Sequence, residues 1–282
     1  MSLWTDLLGA EIRHIVAGGV PTRIASLGDG PPIVLLHGRG GHLETFARTM
    51  PALAEAGRRA IAFDLLGHGL TGRPPAARYT VEELAVHALA VLDALALDEA
   101  DLVGQSLGGW TAALIALGAP DRVRRLALIE PAGLQTESER LADPTTRSAY
   151  ERGGRAYAEP TPEAVRTRLA GLLADPDRLD PELVEIRTLL YQPEEARQVH
   201  RLVRAADNDR SLLTPQRLAG LAMPVMLVRG EHGHTPQVVI ETARDAIAQA
   251  RLLTIKGAKQ WPQYEHPELL NPALIDFLSK EN

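Results

Sequence analysis

The chain has 282 residues, 45% of them hydrophobic, which suits one large α/β domain or one domain carrying an inserted lobe. A net charge of −6 argues against nucleic acid or an anionic membrane surface as main partner, and the absence of cysteine excludes disulfides and thiolate metal sites. No apolar run approaches the ~18 residues of a membrane span, and the first residues, MSLWTDLLGAEIRH, lack the blocks of a secretion signal. A soluble, cytoplasmic protein is expected.

Glu11–Ala17 and Val20–Leu27 flank Gly18-Gly19, which predicts a hairpin. Ile33-Val34-Leu35-Leu36 has the length and apolar character of a buried parallel strand. It runs into His37-Gly38-Arg39-Gly40-Gly41, a glycine-rich loop able to aim backbone N–H groups at a substrate, as an oxyanion hole requires. A helix is expected over 42–56, a strand over 60–64, and a helix from Thr80 to about Leu95 with Thr80 and Glu83 as a capping box.

Asp101–Gly118 reads strand, then Gly104-Gln105-Ser106-Leu107-Gly108, then helix, which is the order of a nucleophile elbow. The glycines remove side chains that would collide in a strained turn, and Ser106 is left at the tip, at a helix N-terminus that favours negative charge. Val123–Ile129 is a further strand ending at Glu130. Strands alternating with helices at this spacing predict a mostly parallel central sheet with helices on both faces.

From Leu134 to about Leu221 strand-like runs vanish, and Thr161-Pro162, Asp180-Pro181 and Thr214-Pro215 each place a capping residue before proline. This predicts an inserted helical cap over 134–221 between core segments 1–133 and 222–282. Strands over 223–228 and 251–255, helices over 237–248 and 267–278, and a loop over 257–262 complete the chain. No metal-ligand spacing and no phosphate loop is present, so neither metal nor cofactor is expected.

The pieces HGRGG at 37–41, DLLGHG at 64–69, GQSLGG at 104–109, PVMLVRGEH at 224–232 and GAKQWPQYEHPE at 257–268 together resemble the α/β-hydrolase superfamily, over nearly the whole length. The cap is similar to that of carbon–carbon bond hydrolases of the meta-cleavage type and of (E)-2-(acetamidomethylene)succinate hydrolases. The resemblance implies Ser106 as nucleophile, with the Leu107 N–H and the Arg39 or Gly40 N–H as oxyanion donors. It also implies an acid after the strand at 225–229 and a histidine near the C-terminus. Here Gly233 stands at the acid position and Gln260 at the histidine position, preceded by Lys259.

Glu130 is the candidate replacement acid, against a solvated charge at a strand end. Gln260 exchanges hydrogen bonds but takes no proton, so the base is unassigned, with His42, His232 and His234 as alternatives for a relocated one. His37 and His68 read as structural, and His14, His87 and His200 have no motif around them. Arginines 140, 147, 152, 155, 166 and 168 crowd the first half of the cap. Arg147 and Arg168, with Trp261 as pocket wall, are candidates for holding a carboxylate, against simple solvent exposure. The expectation is a serine hydrolase of a small substrate (ester, amide or C–C bond) with an atypical triad, self-association being left open. The alternatives are a lyase, isomerase or cyclase that uses the oxyanion hole, and a ligand-binding pseudoenzyme.

Overall fold

The computed structural model describes residues 2–279. Eight strands form one sheet: β1 (Glu11–Ala17), β2 (Val20–Leu27), β3 (Pro32–Leu36), β4 (Arg59–Phe63), β5 (Ala100–Gln105), β6 (Val123–Ile129), β7 (Val225–Gly230) and β8 (Ala250–Ile255). Their order across the sheet is β1-β2-β4-β3-β5-β6-β7-β8. The first hairpin is antiparallel, β2 joins β4 antiparallel, and every pairing from β4 to β8 is parallel. The long apolar runs predicted as strands are buried on both faces, which is what parallel strands under helices demand.

Helices Val81–Ala94, Leu107–Gly118 and Gln237–Ala246 pack on one face, and Met50–Glu55 and Pro267–Ser279 on the other. The expected helix over 42–56 is broken: a 3-10 turn, Leu43–Phe46, precedes a helix that begins only at Met50. Pro51 explains this, since proline is accommodated in a helix's first turn and not in its interior. Thr80 caps its helix as expected by accepting from Glu83 N, but the Glu83 carboxylate reaches past the cap to the N–H groups of Arg78 and Tyr79. Residues 262–265, expected as the edge of a loop, form a short helix.

Between β6 and β7 the chain is helical: Glu137–Ala142, Pro144–Ala158, Pro162–Ala170, Pro181–Tyr191, Glu194–Ala205 and Pro215–Leu218. Thr161, Asp180 and Thr214 each accept a backbone N–H at the start of their helices, and Asp143 does the same before Pro144. Parallel register sets what matters for chemistry. Leu36 pairs with Gly104, Gln105 with Ile129, and Ile129 with Val228, so His37, Ser106, Glu130 and Arg229 all follow at adjacent carboxyl ends of the sheet. Ligands of open parallel sheets bind at this edge. No helix among the described residues is long and apolar enough to cross a membrane.

Candidate active site

Ser106 has φ 52° and ψ −115°, a backbone conformation rare for a residue with a side chain. Neighbouring backbone holds it there: Ser106 N–H donates to Ile129 O (2.9 Å), and Ser106 O accepts from Trp110 N and Ala132 N (both 3.0 Å). A Cβ on Gly104 would lie 2.3 Å from Gly108 O, and one on Gly108 2.2 Å from Leu36 O, so the turn closes only with glycine at both positions. Above the half-buried serine opens a cavity of about 100 Å3, whose walls include Gly38, Arg39, Gln105, His234 and Gln260.

The glycine-rich loop at 37–41 lies directly on the elbow. A Cβ on Gly38 would stand 2.2 Å from Gln105 Oε1 and 3.2 Å from Ser106 Cβ. His37 braces this loop: its ring bonds Gly38 O (2.8 Å) through Nδ1 and accepts Leu65 N–H (3.0 Å) at Nε2. Nδ1 therefore carries the proton, and complete burial holds the ring well below the usual imidazole range. The backbone N–H groups of Arg39, Gly40 and Leu107 find no protein acceptor among the described residues. Their carbonyls on the far side are engaged: Arg168 Nη2 donates to Arg39 O (2.9 Å), and Arg187 and Tyr191 donate to Gly40 O.

Glu130 is buried, with φ 43°, a second strained residue at the same edge. Its Oε1 accepts Gly230 N–H (2.8 Å) and its Oε2 accepts Thr235 N–H (3.2 Å). A Cβ on Gly233 would fall 1.8 Å from Glu130 Oε1, so the glutamate carboxylate occupies the space that a side chain at 233 would need. The loop after β7 closes around the carboxylate of Glu130, the residue that follows β6. Burial raises the Glu130 carboxyl to about 7, against the partial relief of its two backbone donors.

Gln260 is buried beside Ser106, its backbone joined to Leu172 O (3.0 Å) and to Gln105 Nε2 (3.1 Å), and its Oε1 has no partner. Of the three candidate histidines, His234 alone reaches the cavity. It lines the space above Ser106 and a smaller cleft shared by Ser106, Glu130 and Gln260, with Nε2 buried and unpartnered. Its ring is lowered to about 4 by burial and then by Lys259 and Arg140. His42 is tied instead to Glu44 within a buried network of Arg23, Glu44 and Asp64. His232 points to solvent near Glu231. His200, passed over in the sequence, is also on the cavity wall, stacked on Tyr157 at 3.6 Å with neither ring nitrogen bonded.

The arginine expectation needs correction. Arg147 is exposed and donates to Leu141 O (2.8 Å) outside the cavity, because it lies on the outer face of its helix. Arg155 and Arg166 are exposed as well. Arg168 lines the cavity with Nη1 buried and unpartnered, and Trp261 forms part of the wall. Sequence reasoning missed Arg187. It is fully buried, its Nε and Nη2 are unpartnered, no carboxylate pairs with it among the described residues, and its guanidinium lies 5.6 Å from the Trp261 ring centre. Burial, then Arg168, lowers it to about 9. The signal was present: Leu183, Val184, Arg187, Thr188 and Tyr191 form one helical stripe, with a cation at an apolar position.

Comparison with known proteins identifies the fold and family. The sequence profile of the alpha/beta hydrolase fold family matches residues 31–267. The 2-hydroxymuconate semialdehyde hydrolase of Pseudomonas sp. (strain CF600) is 32% identical over 279 residues, 95% of this chain and 94% of that protein. A solved serine hydrolase involved in carbazole degradation superposes with a TM-score of 0.79 at 27% identity, covering 96% of this chain and 99% of the other. A meta-cleavage product hydrolase from Pseudomonas fluorescens IP01 reaches 0.81 at 24% identity, covering 96% and 98%.

Proposed function

Because this chain belongs to the α/β-hydrolase-fold family, we propose that it hydrolyses an ester, amide or carbon–carbon bond in a small carboxylate-bearing molecule, with Ser106 as nucleophile. The observation that carries the substrate class is Arg168, on the wall of the serine cavity with its Nη1 buried and unpartnered, backed by the fully buried Arg187 guanidinium against the cavity-wall ring of Trp261. A buried cation without a counter-charge costs several kcal/mol, and an anionic ligand offsets that cost. The names of the relatives support the class: 2-hydroxymuconate semialdehyde hydrolase, and a 2-hydroxy-6-oxo-6-(2'-aminophenyl)hexa-2,4-dienoic acid hydrolase at 28% identity.

In this reading the helices of 134–221 act as a cap that seats the carboxylate on Arg168 and Arg187, with Trp261 as wall. The substrate carbonyl then lies over Ser106 Oγ, and the Leu107 N–H with the Arg39 or Gly40 N–H receives the negative oxygen formed by attack. Glu130 is the acid of the site, and Gln260 contributes a hydrogen bond and no proton transfer. Cytoplasmic location and self-association belong to the proposal as well. The test is a series of p-nitrophenyl esters with and without a terminal carboxylate. An initial burst, preference for the acidic ester, and loss of both in Ser106→Ala are expected. Absence of turnover together with an unlabelled Ser106 in the presence of a fluorophosphonate would sink the hydrolase reading.

Gln260 favours a second reading, a lyase or isomerase that polarises a carbonyl without a covalent intermediate. Product formation that survives Ser106→Ala is its signature. A pseudoenzyme would show ligand-dependent thermal stabilisation without any product.

A further inference from the structure

We propose that His234 takes over the general-base role left vacant by Gln260. The inference rests on Ser106 being the nucleophile. Three observations carry it. His234 shares two cavities with Ser106, and in the smaller one Glu130 and Gln260 stand beside both. Its Nε2 is buried and bonded to nothing, an arrangement with a desolvation cost and no structural return. Its loop is fastened by the acid itself: Glu130 accepts the N–H groups of Gly230 and Thr235 and fills the space over Gly233, which brackets His234 on both sides. Glu130 is thus a positioning residue for the imidazole loop. Relocating the acid to β6 and the base to the β7 loop is one linked change, because a side chain on Gly233 would exclude the Glu130 carboxylate.

The step balances without an added reagent. As Ser106 Oγ bonds to the substrate carbonyl carbon, its proton passes to His234 Nε2 and the carbonyl π pair becomes the oxyanion. Collapse expels the leaving group, which takes that proton. Water then attacks the acyl-serine, giving its proton through Nε2 back to Ser106. No hydrogen bond joins Oγ to Nε2 among the described residues; the two groups face one cavity, and catalytic contacts of this kind tighten when substrate fills the site. The charged groups around the ring are Lys259, Arg140, Arg152 and Asp143, three cations to one anion, with Glu130 in the shared cleft. Burial first, and then that excess of cations, keeps the ring neutral at neutral pH, with its Nε2 lone pair free to accept a proton.

The experiment measures the rate of fluorophosphonate addition to Ser106 by intact mass, from pH 4 to 9, in wild type, His234→Gln, His234→Ala and the exposed control His232→Gln. Wild type and the control should label alike, with a rate that stays level down to about pH 5, below the range of an ordinary imidazole. Both His234 variants should fall by ~100-fold or more, and free imidazole should restore part of the rate to His234→Ala, which separates a lost base from a lost fold. Wild type labelled and His234→Gln within threefold of it, with an unchanged melting curve, overturns the proposal alone. Wild type unlabelled overturns the nucleophile reading and this proposal together.

Discussion

Glu130 and Gly233 behave as one unit, and their coupling is measurable. Gly233→Ala puts a methyl group where Glu130 Oε1 lies 1.8 Å from the new Cβ, so a loss of about 2–4 kcal/mol is expected from overpacking beside a buried carboxylate. In a Glu130→Ala background the same substitution should cost far less, and a double-mutant cycle by urea denaturation gives the coupling. Glu130 also sets a pH dependence. Its carboxyl is raised from 4.5 to about 7 by burial, so the folded state binds a proton that the unfolded chain has released. Stability from this group is full below about pH 4.5 and declines as pH rises through 7. Melting of wild type at pH 5 and 8 should show a decline larger by about 1–3 kcal/mol than in Glu130→Gln. An equal decline in the two proteins contradicts the shift.

At the scale of elements, the elbow is the least tolerant. Gly108→Ala sets a Cβ 2.2 Å from Leu36 O, a backbone atom of β3 that cannot swing aside. Loss of soluble protein, or a drop in melting temperature of more than 10 °C, is expected, roughly 3 kcal/mol or more. The helices between β6 and β7 offer a milder test. Thr161 caps the helix carrying Arg168 through Ala164 N–H (3.2 Å), and Thr161→Ala should cost about 1 kcal/mol. Limited proteolysis should then cut within 159–170 faster than in wild type, with the sheet left intact.

For the whole molecule, Arg187 sets stability against binding. Among the described residues no carboxylate pairs with the buried Arg187 guanidinium, which destabilises the fold, and its donation to Gly40 O returns only part of that. Arg187→Met should leave the melting temperature equal or higher while weakening small carboxylates at least ~10-fold, about 1.4 kcal/mol, by calorimetric titration. A variant that binds carboxylates as wild type does would remove Arg187 from the substrate site.

Local chemistry determined much of this protein by itself. Apolar runs of strand length, helix caps before proline and glycines around Ser106 depend on near neighbours in the chain, so hairpin, sheet, elbow and helical insert were legible without coordinates. That Gly233 and Gln260 stand where the family resemblance implies an acid and a histidine was likewise legible directly in the sequence. Glu130 could be named from the sequence as a candidate acid, but that its carboxylate occupies the space over Gly233 could not, because the two residues lie 103 positions apart in the sequence and meet only when β6 and β7 align in register. Arg147 and Arg187 show the same limit from opposite sides. Each is an arginine on a helix, and which helix face turns inward is decided by packing between helices, a long-range matter that composition does not record.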